Sequence, residues 1–306
     1  MSVQHTSLKA QNLKKSYGEV HAIQDICFAI NRGGVVAVLG QNGAGKTSLI
    51  KCALGLEKVS SGQLVTMGHK PGSMAAKQQI GVILQDTDLP DTLTVEEQIE
   101  LFASYYPTPL SVEETISICE LREFAHKRYK QLSGGQKRRV QFALAIVGDP
   151  QLIFLDEPTT GLDIDARRNL WTVIRDFANR GKTVVLTTHY LEEADNLADR
   201  IIVLNQGNIV ADTTPEKLHR QASGTVIRCQ TKLTPPQLNN LPEVSEIGRH
   251  GRMCEIRSAN ANVTLLELLK LDPLLKNLSV SEPKLEDIFS QLTGKVSLET
   301  QSGEAA

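Results

Sequence analysis

Gly40-Gln41-Asn42-Gly43-Ala44-Gly45-Lys46-Thr47 follows the apolar run Val35-Val36-Ala37-Val38-Leu39 and precedes Ser48-Leu49-Ile50-Lys51-Cys52-Ala53-Leu54. The order reads as strand, glycine loop, helix. Phosphate oxygens need several inward-pointing backbone N–H donors at close range, and glycine permits this because no Cβ blocks the approach or forbids positive φ. The start of the helix adds a partial positive charge. At this spacing Lys46 reaches the outer phosphates of a nucleotide, and the Thr47 hydroxyl can take one position on a magnesium ion.

Three more apolar runs end in polar residues. Ile80-Gly81-Val82-Ile83-Leu84 stops at Gln85-Asp86, Leu152-Ile153-Phe154-Leu155 at Asp156-Glu157-Pro158, and Thr183-Val184-Val185-Leu186-Thr187 at Thr188-His189. Between them lie helical stretches: 94 to 106 opened by Thr94-x-x-Glu97, 111 to 125 opened by Ser111-x-x-Glu114, one from Leu132-Ser133-Gly134-Gly135-Gln136 to about Val147, and one capped by Asp163. Both numbered openings read as capping boxes. Near-continuous apolar strands alternating with helices predict a mostly parallel sheet covered on both faces, whose ligands bind beyond the carboxyl ends of the strands. Gly40, Gln85, Asp156-Glu157 and His189 then share one edge.

The chemistry of that edge follows from the residue types. Asp156 after an apolar strand can hold magnesium, and Glu157 beside it can accept a proton from an attacking water. Adjacent residues of an extended chain point different ways, so the two carboxylates can serve different partners. Lys46, the metal and His189 would stabilise developing charge. Ser133 with Gln136 is a capping box, yet Gly134 and Gly135 also expose N–H groups at a helix start, which makes a second anion site. One chain rarely needs two phosphate cradles for one nucleotide, so the excess suggests a second nucleotide shared between two copies. Tyr17, before Gly18, either stacks on a base or is a half-buried strand tyrosine.

The remainder sets limits. The 306 residues, 41% hydrophobic and 22% charged with a net charge of −2, describe an ordinary globular protein and demand no nucleic-acid partner. Lys127-Arg128, Lys137-Arg138-Arg139 and Arg167-Arg168 read as solvated faces or partner surfaces, and Trp171 as a packing residue. Five scattered cysteines, without a C-x-x-C pair, suit a reducing compartment and no zinc site. No run approaches the length of a membrane span, and Met1-Ser2-Val3-Gln4-His5 lacks the apolar core of a signal peptide, so the chain is expected to be cytosolic and non-spanning. Residues 7 to 30 read as an antiparallel hairpin region. Past about 220, strand patterns at Thr225 to Gln230, Val244 to Gly248 and Cys254 to Ser258 alternate with the breaks Pro235-Pro236 and Asn239-Asn240. With helical patterns at Val263 to Leu271 and Leu285 to Leu292, they predict a small α+β accessory domain over 221–296. A disordered tail is expected over 297–306.

With these motifs in view, residues 7 to about 220 resemble the ATP-binding subunit of an ABC transporter, and Leu132 to Gln136 matches the signature of that family. The resemblance implies an α/β fold of the P-loop NTPase, ABC-ATPase type over 1–220: a mostly parallel sheet, an antiparallel β subdomain and a helical subdomain at about 86–147. It implies ATP and Mg2+ as the ligands. Gly40, Asn42, Gly43, Ala44, Gly45, Lys46, Thr47 and Ser48 would hold the phosphates, Tyr17 would stack on adenine, and Gln85 would touch magnesium and sense a membrane partner. Thr47, Gln85 and Asp156 would surround the metal, with Glu157 the catalytic base and His189 at the γ-phosphate. Ser133, Gly134 and Gly135 would contact the ATP of an opposite subunit in a homodimer, with Gln136 of the signature and Asp163, the D-loop residue, also at the nucleotide. Pro158 to Asp163, His189 to Asp195 and Pro283 to Phe289 with Leu292-Thr293-Gly294 resemble the daunorubicin-resistance branch. That likeness implies a peripheral exporter ATPase, on the cytoplasmic side of the membrane, working with a separately encoded membrane permease. The alternative is a soluble ABC ATPase acting on nucleic acid or ribosomes; a third reading is a nucleotide-sensing module.

Overall fold

A computed structural model describes residues 6–85, 89–221, 225–251 and 253–281. The chain divides into two compact units, Met1–Pro215 and Glu216–Ala306. In the first, β1 (Thr6–Tyr17) and β2 (Val20–Asn31) form the expected hairpin, β3 (Gly34–Leu39) leads through the glycine loop into α1 (Lys46–Leu54), and β4 (Ser61–Thr66) returns to pair with β1. A short α2 (Met74–Lys77) precedes β5 (Ile80–Ile83), and then come α3 (Val95–Ala103), α4 (Val112–Ile118) and α5 (Gly134–Ile146). The strands and helices β6 (Leu152–Asp156), α6 (Ile164–Asn179), β7 (Thr183–Thr188), α7 (Leu191–Leu197), β8 (Arg200–Asn205) and β9 (Asn208–Thr213) follow, and α8 (Pro215–Gln221) begins at the last residue of this unit.

The large sheet runs in the order β5-β6-β7-β3-β8-β9, parallel except for the antiparallel edge strand β9. Every residue of β6 and β7 is buried, as a strand covered on both faces requires. Alternation along the strands splits the core. Val36, Val38, Phe154, Val185 and Ile202 join Leu49 and Ile50 of α1 and Leu8, Leu13, Ile23 and Ile30 of the β2-β1-β4 sheet in one cluster. Val35, Ala37 and Leu39 point the other way, and α6 and α7 pack on β3 and β7. The phosphate-loop helix is thus held between two sheets.

The helical block departs from expectation at two helix ends, the first being the helix expected to run to 106, which stops at Ala103. The reciprocal capping box forms at Thr94 and Glu97, whereas at Ser111 the structure has the serine half, its Oγ accepting the Glu114 N–H at 3.1 Å. The helix begun there ends at Ile118 rather than near 125, because Glu120 turns left-handed at φ 52° and a 3-10 turn at Arg122–Phe124 replaces it. Asp86, at the expected start of this block, lies outside the described residues.

The second unit contains a four-stranded antiparallel sheet ordered β11-β12-β10-β13: β10 (Thr225–Gln230), β11 (Val244–His250), β12 (Met253–Ser258) and β13 (Lys276–Ser281). Two helices accompany it, α9 (Pro235–Asn239) and α10 (Ala261–Leu271). The prolines read as a break instead start α9, where Thr234 forms a capping box with Gln237 and proline at the first helical position forfeits no hydrogen bond. The pattern at Leu285 to Leu292, the motif from Pro283 to Gly294 and the tail from 297 lie outside the described residues.

Candidate active site

Because β3, β7, β6 and β5 are parallel, their carboxyl ends line one edge of the sheet. Gly45 there adopts φ 106°, and a Cβ on it would lie 2.3 Å from the Ala22 carbonyl oxygen, so no side chain fits where the loop enters α1. Lys46 is buried; its Nζ donates to the carbonyl oxygens of Gly40 at 2.7 Å and Gln41 at 3.2 Å. Burial lowers its pKa, and the nearby charges of Glu157 and Asp156 oppose that shift. Ala44 and Gly45 are buried with it, Thr47 and Ser48 are half-buried, and Asn42 and Gly43 are exposed.

The acidic pair comes next along the edge. Asp156 closes β6, only 1% exposed; its Oδ1 accepts from Thr187 Oγ1 and, at 3.4 Å, from Thr47 Oγ1. Glu157 does not continue the strand but takes φ 48°. The two carboxylates therefore diverge because the backbone turns left-handed at Glu157, not through strand alternation as the extended reading supposed. Glu157 Oε1 stands 3.7 Å from Lys46 Nζ and 3.2 Å from His189 Nδ1, and its Oε2 accepts from Thr160 Oγ1 at 3.2 Å. Its own N–H donates to the backbone oxygen and Oγ1 of Thr187, each at 3.1 Å. Lys46, Thr47, Asp156, Glu157 and His189 are thereby joined.

The other sequence-derived residues lie apart from that cluster among the described contacts. Gln85 is exposed two residues past β5. Tyr17 ends β1 and is 41% exposed, with Lys15 Nζ 4.3 Å from its ring centroid, so it is more open than a half-buried strand tyrosine. Ser133 caps α5 in a complete box: its Oγ accepts the Gln136 N–H at 3.3 Å, and Gln136 Oε1 accepts the Ser133 N–H at 3.0 Å. Asp163 caps α6 through the Ala166 N–H at 2.8 Å. These two helix starts abut, since a Cβ on Gly135 would come within 2.7 Å of the Ala166 Cβ. Ser133 and Gly134 remain exposed.

Several supporting residues were not foreseen. Arg138, read as part of a solvated basic face, is 9% exposed and donates to the backbone oxygens of Asp156, Glu157 and Pro158. The signal was present: Arg138, Phe142 and Ala145 recur at helical spacing, which puts the arginine on the buried face of α5. Arg167 is half-buried; its guanidinium lies 4.8 Å from the Tyr190 ring centroid and its Nη1 3.6 Å from Glu192 Oε2. Trp171 does more than pack, because its Nε1 donates to Glu193 Oε1 at 3.3 Å.

A lysine, a carboxylate and a histidine gathered around a glycine loop at the carboxyl edge of a parallel sheet is the construction of a P-loop nucleoside triphosphatase. Residues 23–160 match the family model described as ABC transporter, and residues 127–195 a second model described as AAA domain, putative AbiEii toxin, Type IV TA system. The chain is 34% identical over 292 residues to Nod factor export ATP-binding protein I of Rhizobium sp. (strain N33), covering 92% of this chain and 95% of that protein. To the protein of the same name from Burkholderia orbicola (strain AU 1054) it is 33% identical, covering 93% and 96%. The chain belongs to the ATP-binding subunits of ABC transporters, a family of ATPases. Solved structures agree. CbiO1 of Clostridium perfringens, part of the transporter complex CbiONQ, is 27% identical with a TM-score of 0.64 over 71% of this chain and 92% of that one. The ATP-binding cassette MJ0796, a dimer in a post-hydrolysis state with ADP and Pi, is 28% identical with a TM-score of 0.61 over 68% and 98%. The curated relatives named here are export ATP-binding proteins and the solved neighbours ABC cassettes, so the nucleic-acid alternative is not favoured. Among the described residues no helix is long and apolar enough to cross a membrane.

Proposed function

We propose that two copies of this chain close head to tail over two ATP molecules, hydrolyse them, and so drive a separately encoded membrane subunit that exports a solute. The chain would sit peripherally on the cytoplasmic face of the membrane. The observation that carries the reading is the Glu157 carboxylate, held between Lys46 and His189 beside the glycine loop. Glu157 takes the proton of the attacking water as its oxygen bonds to the γ-phosphorus and the bond to the bridging oxygen of ADP breaks. Lys46 and His189 stabilise charge on the transferred group. The Ser133 end of α5 and Asp163 face the nucleotide of the opposite copy, and Tyr17 stacks on adenine. The names of the relatives, Nod factor export ATP-binding protein I, support export as the direction of transport.

Among the described residues no group of three His, Cys, Asp or Glu side chains converges as a metal site. The oxygen-only set of Thr47 and Asp156, 3.4 Å apart, with Gln85 at the next strand end, fits Mg2+ carried in by phosphates. Held there, the ion would neutralise charge on the phosphates. The test of the reading is Glu157→Gln. Hydrolysis should fall by about 10²- to 10⁴-fold, the usual contribution of a general base, while ATP traps a dimer visible by light scattering. A monomer with unchanged turnover would overturn it.

A further inference from the structure

Arg138 stands one turn into α5 with its charge buried, and among the described residues no carboxylate lies within ion-pair distance of it. Backbone dipoles take that role. Nε donates to Pro158 O at 2.7 Å, and Nη2 donates to Glu157 O at 2.8 Å and Asp156 O at 3.4 Å. Nη1 donates to Gln141 Oε1 at 2.8 Å and reaches Leu84 O at 3.5 Å. Three successive carbonyls of one turn thus point at a single guanidinium, whose planar fork can satisfy them together.

That turn is where Glu157 adopts φ 48°. A left-handed conformation is unfavourable for a residue with a side chain and persists where its surroundings over-determine it. Thr187 fixes the Glu157 N–H from β7, and Arg138 fixes the carbonyl side from α5. Together they set the direction in which the Glu157 side chain leaves the backbone, toward Lys46 and His189. Arg138 also belongs to the helix that opens with Ser133 and Gly134, and its Nη1 touches the backbone next to Gln85. One side chain therefore links three segments that periodicity alone treats as separate.

We propose that Arg138 is a positioning residue for hydrolysis: it ties the helix that starts at Ser133 to the turn that carries Glu157, so the carboxylate is aligned only while that helix is seated. The proposal rests on the assignment of Glu157 as base. Anything that displaces α5, including an approach to its exposed Ser133 end, then moves the carboxylate with it.

Arg138→Lys tests this, because lysine keeps the charge and the stem but cannot bond three carbonyls as a fork. The expected result in the full chain is a kcat lower by about 10- to 100-fold, the scale of a catalytic group misplaced by about an ångström, with the KM for ATP within about twofold. The double variant E157Q/R138K should still form the ATP-bound dimer, since assembly is not what the arginine provides. Arg138→Ala should regain part of its turnover when guanidinium ion is added. Unchanged kcat in Arg138→Lys, a raised KM with normal kcat, or loss of the E157Q/R138K dimer while Glu157→Gln alone dimerises would each overturn the proposal. Full turnover in Glu157→Gln would instead remove the assignment beneath it, a result distinguishable from any outcome at Arg138.

Discussion

Two glycine elements open helices in this molecule, and they are shaped by opposite constraints. In Gly40 to Thr47 the chain itself demands glycine: Gly45 has φ 106°, and a Cβ on it would strike the Ala22 carbonyl oxygen at 2.3 Å. Ala44, Gly45 and Lys46 are buried among groups of the same chain. At Ser133 to Gly135 the fold asks for less. Gly135 is needed only against the Ala166 methyl at 2.7 Å, while Gly134 is helical and a Cβ on it would meet nothing within 4 Å. Glycine costs a helix about 0.5–1 kcal/mol relative to alanine. A glycine that its own chain does not require, on an exposed helix start already capped by Ser133, is what the proposed contact with a second copy's nucleotide would need. The first element is finished from within; the second, on that proposal, is finished from without.

The largest expected effect falls on the internally finished element. Gly45→Ala must either move Ala22 or abandon the left-handed turn, so the variant should be destabilised by about 1–3 kcal/mol and lose measurable ATP binding in calorimetry. Wild-type affinity would show that the loop tolerates a Cβ and that its glycine is not set by this contact. Gly134→Ala is the counterpart with a smaller structural effect. Its melting temperature should be no lower than wild type and ATP binding by the monomer unchanged, yet steady-state phosphate release should drop at least about tenfold if a second copy's nucleotide needs that space. Full turnover in Gly134→Ala would break the contrast between the two elements.

Much of this was legible before the structure. The apolar runs behind Gly40, Gln85, Asp156 and His189 are buried strands because a parallel sheet covered on both faces carries no alternation, and parallel strands bring their carboxyl ends to one edge without further information. What periodicity missed were the groups that shape the edge. The left-handed turn at Glu157 has no glycine to announce it, because Thr187 and Arg138 impose it from β7 and α5, 30 and 19 positions away in the chain. Arg138 itself lay in a basic run whose charge suggested solvent, and only its helical phase with Phe142 spoke for burial. In the second unit, Pro235 looked like punctuation because the Thr234 cap, which turns a proline into a helix start, is as local a signal as the break it resembles.

The smallest expected effect probes how completely the first element is finished from inside. Glu193 of α7 is fully buried, three residues past the Tyr190 cap that follows His189, and accepts from Trp171 Nε1 through Oε1. Among the described residues its Oε2 and Thr159 Oγ1 both lack a hydrogen-bond partner. Burial raises its pKa above 4.5; the nearby hydroxyls of Thr188 and Thr159, the Trp171 N–H and the Arg167 charge favour the anion by less than burial disfavours it. Because the folded state holds this proton more tightly than the unfolded chain, the contribution is greatest below the unfolded pKa and is lost as pH rises through the raised folded value. Glu193→Gln keeps the acceptor for Trp171, supplies an N–H for Thr159 Oγ1, and removes the ionisation. Its melting temperature should therefore gain on wild type as pH climbs from about 4.5 to 8, by about 2–4 °C for each kcal/mol recovered in a unit of this size. A gap that stays constant with pH would mean that Glu193 does not titrate differently on folding, its neighbours offsetting what burial costs the carboxylate.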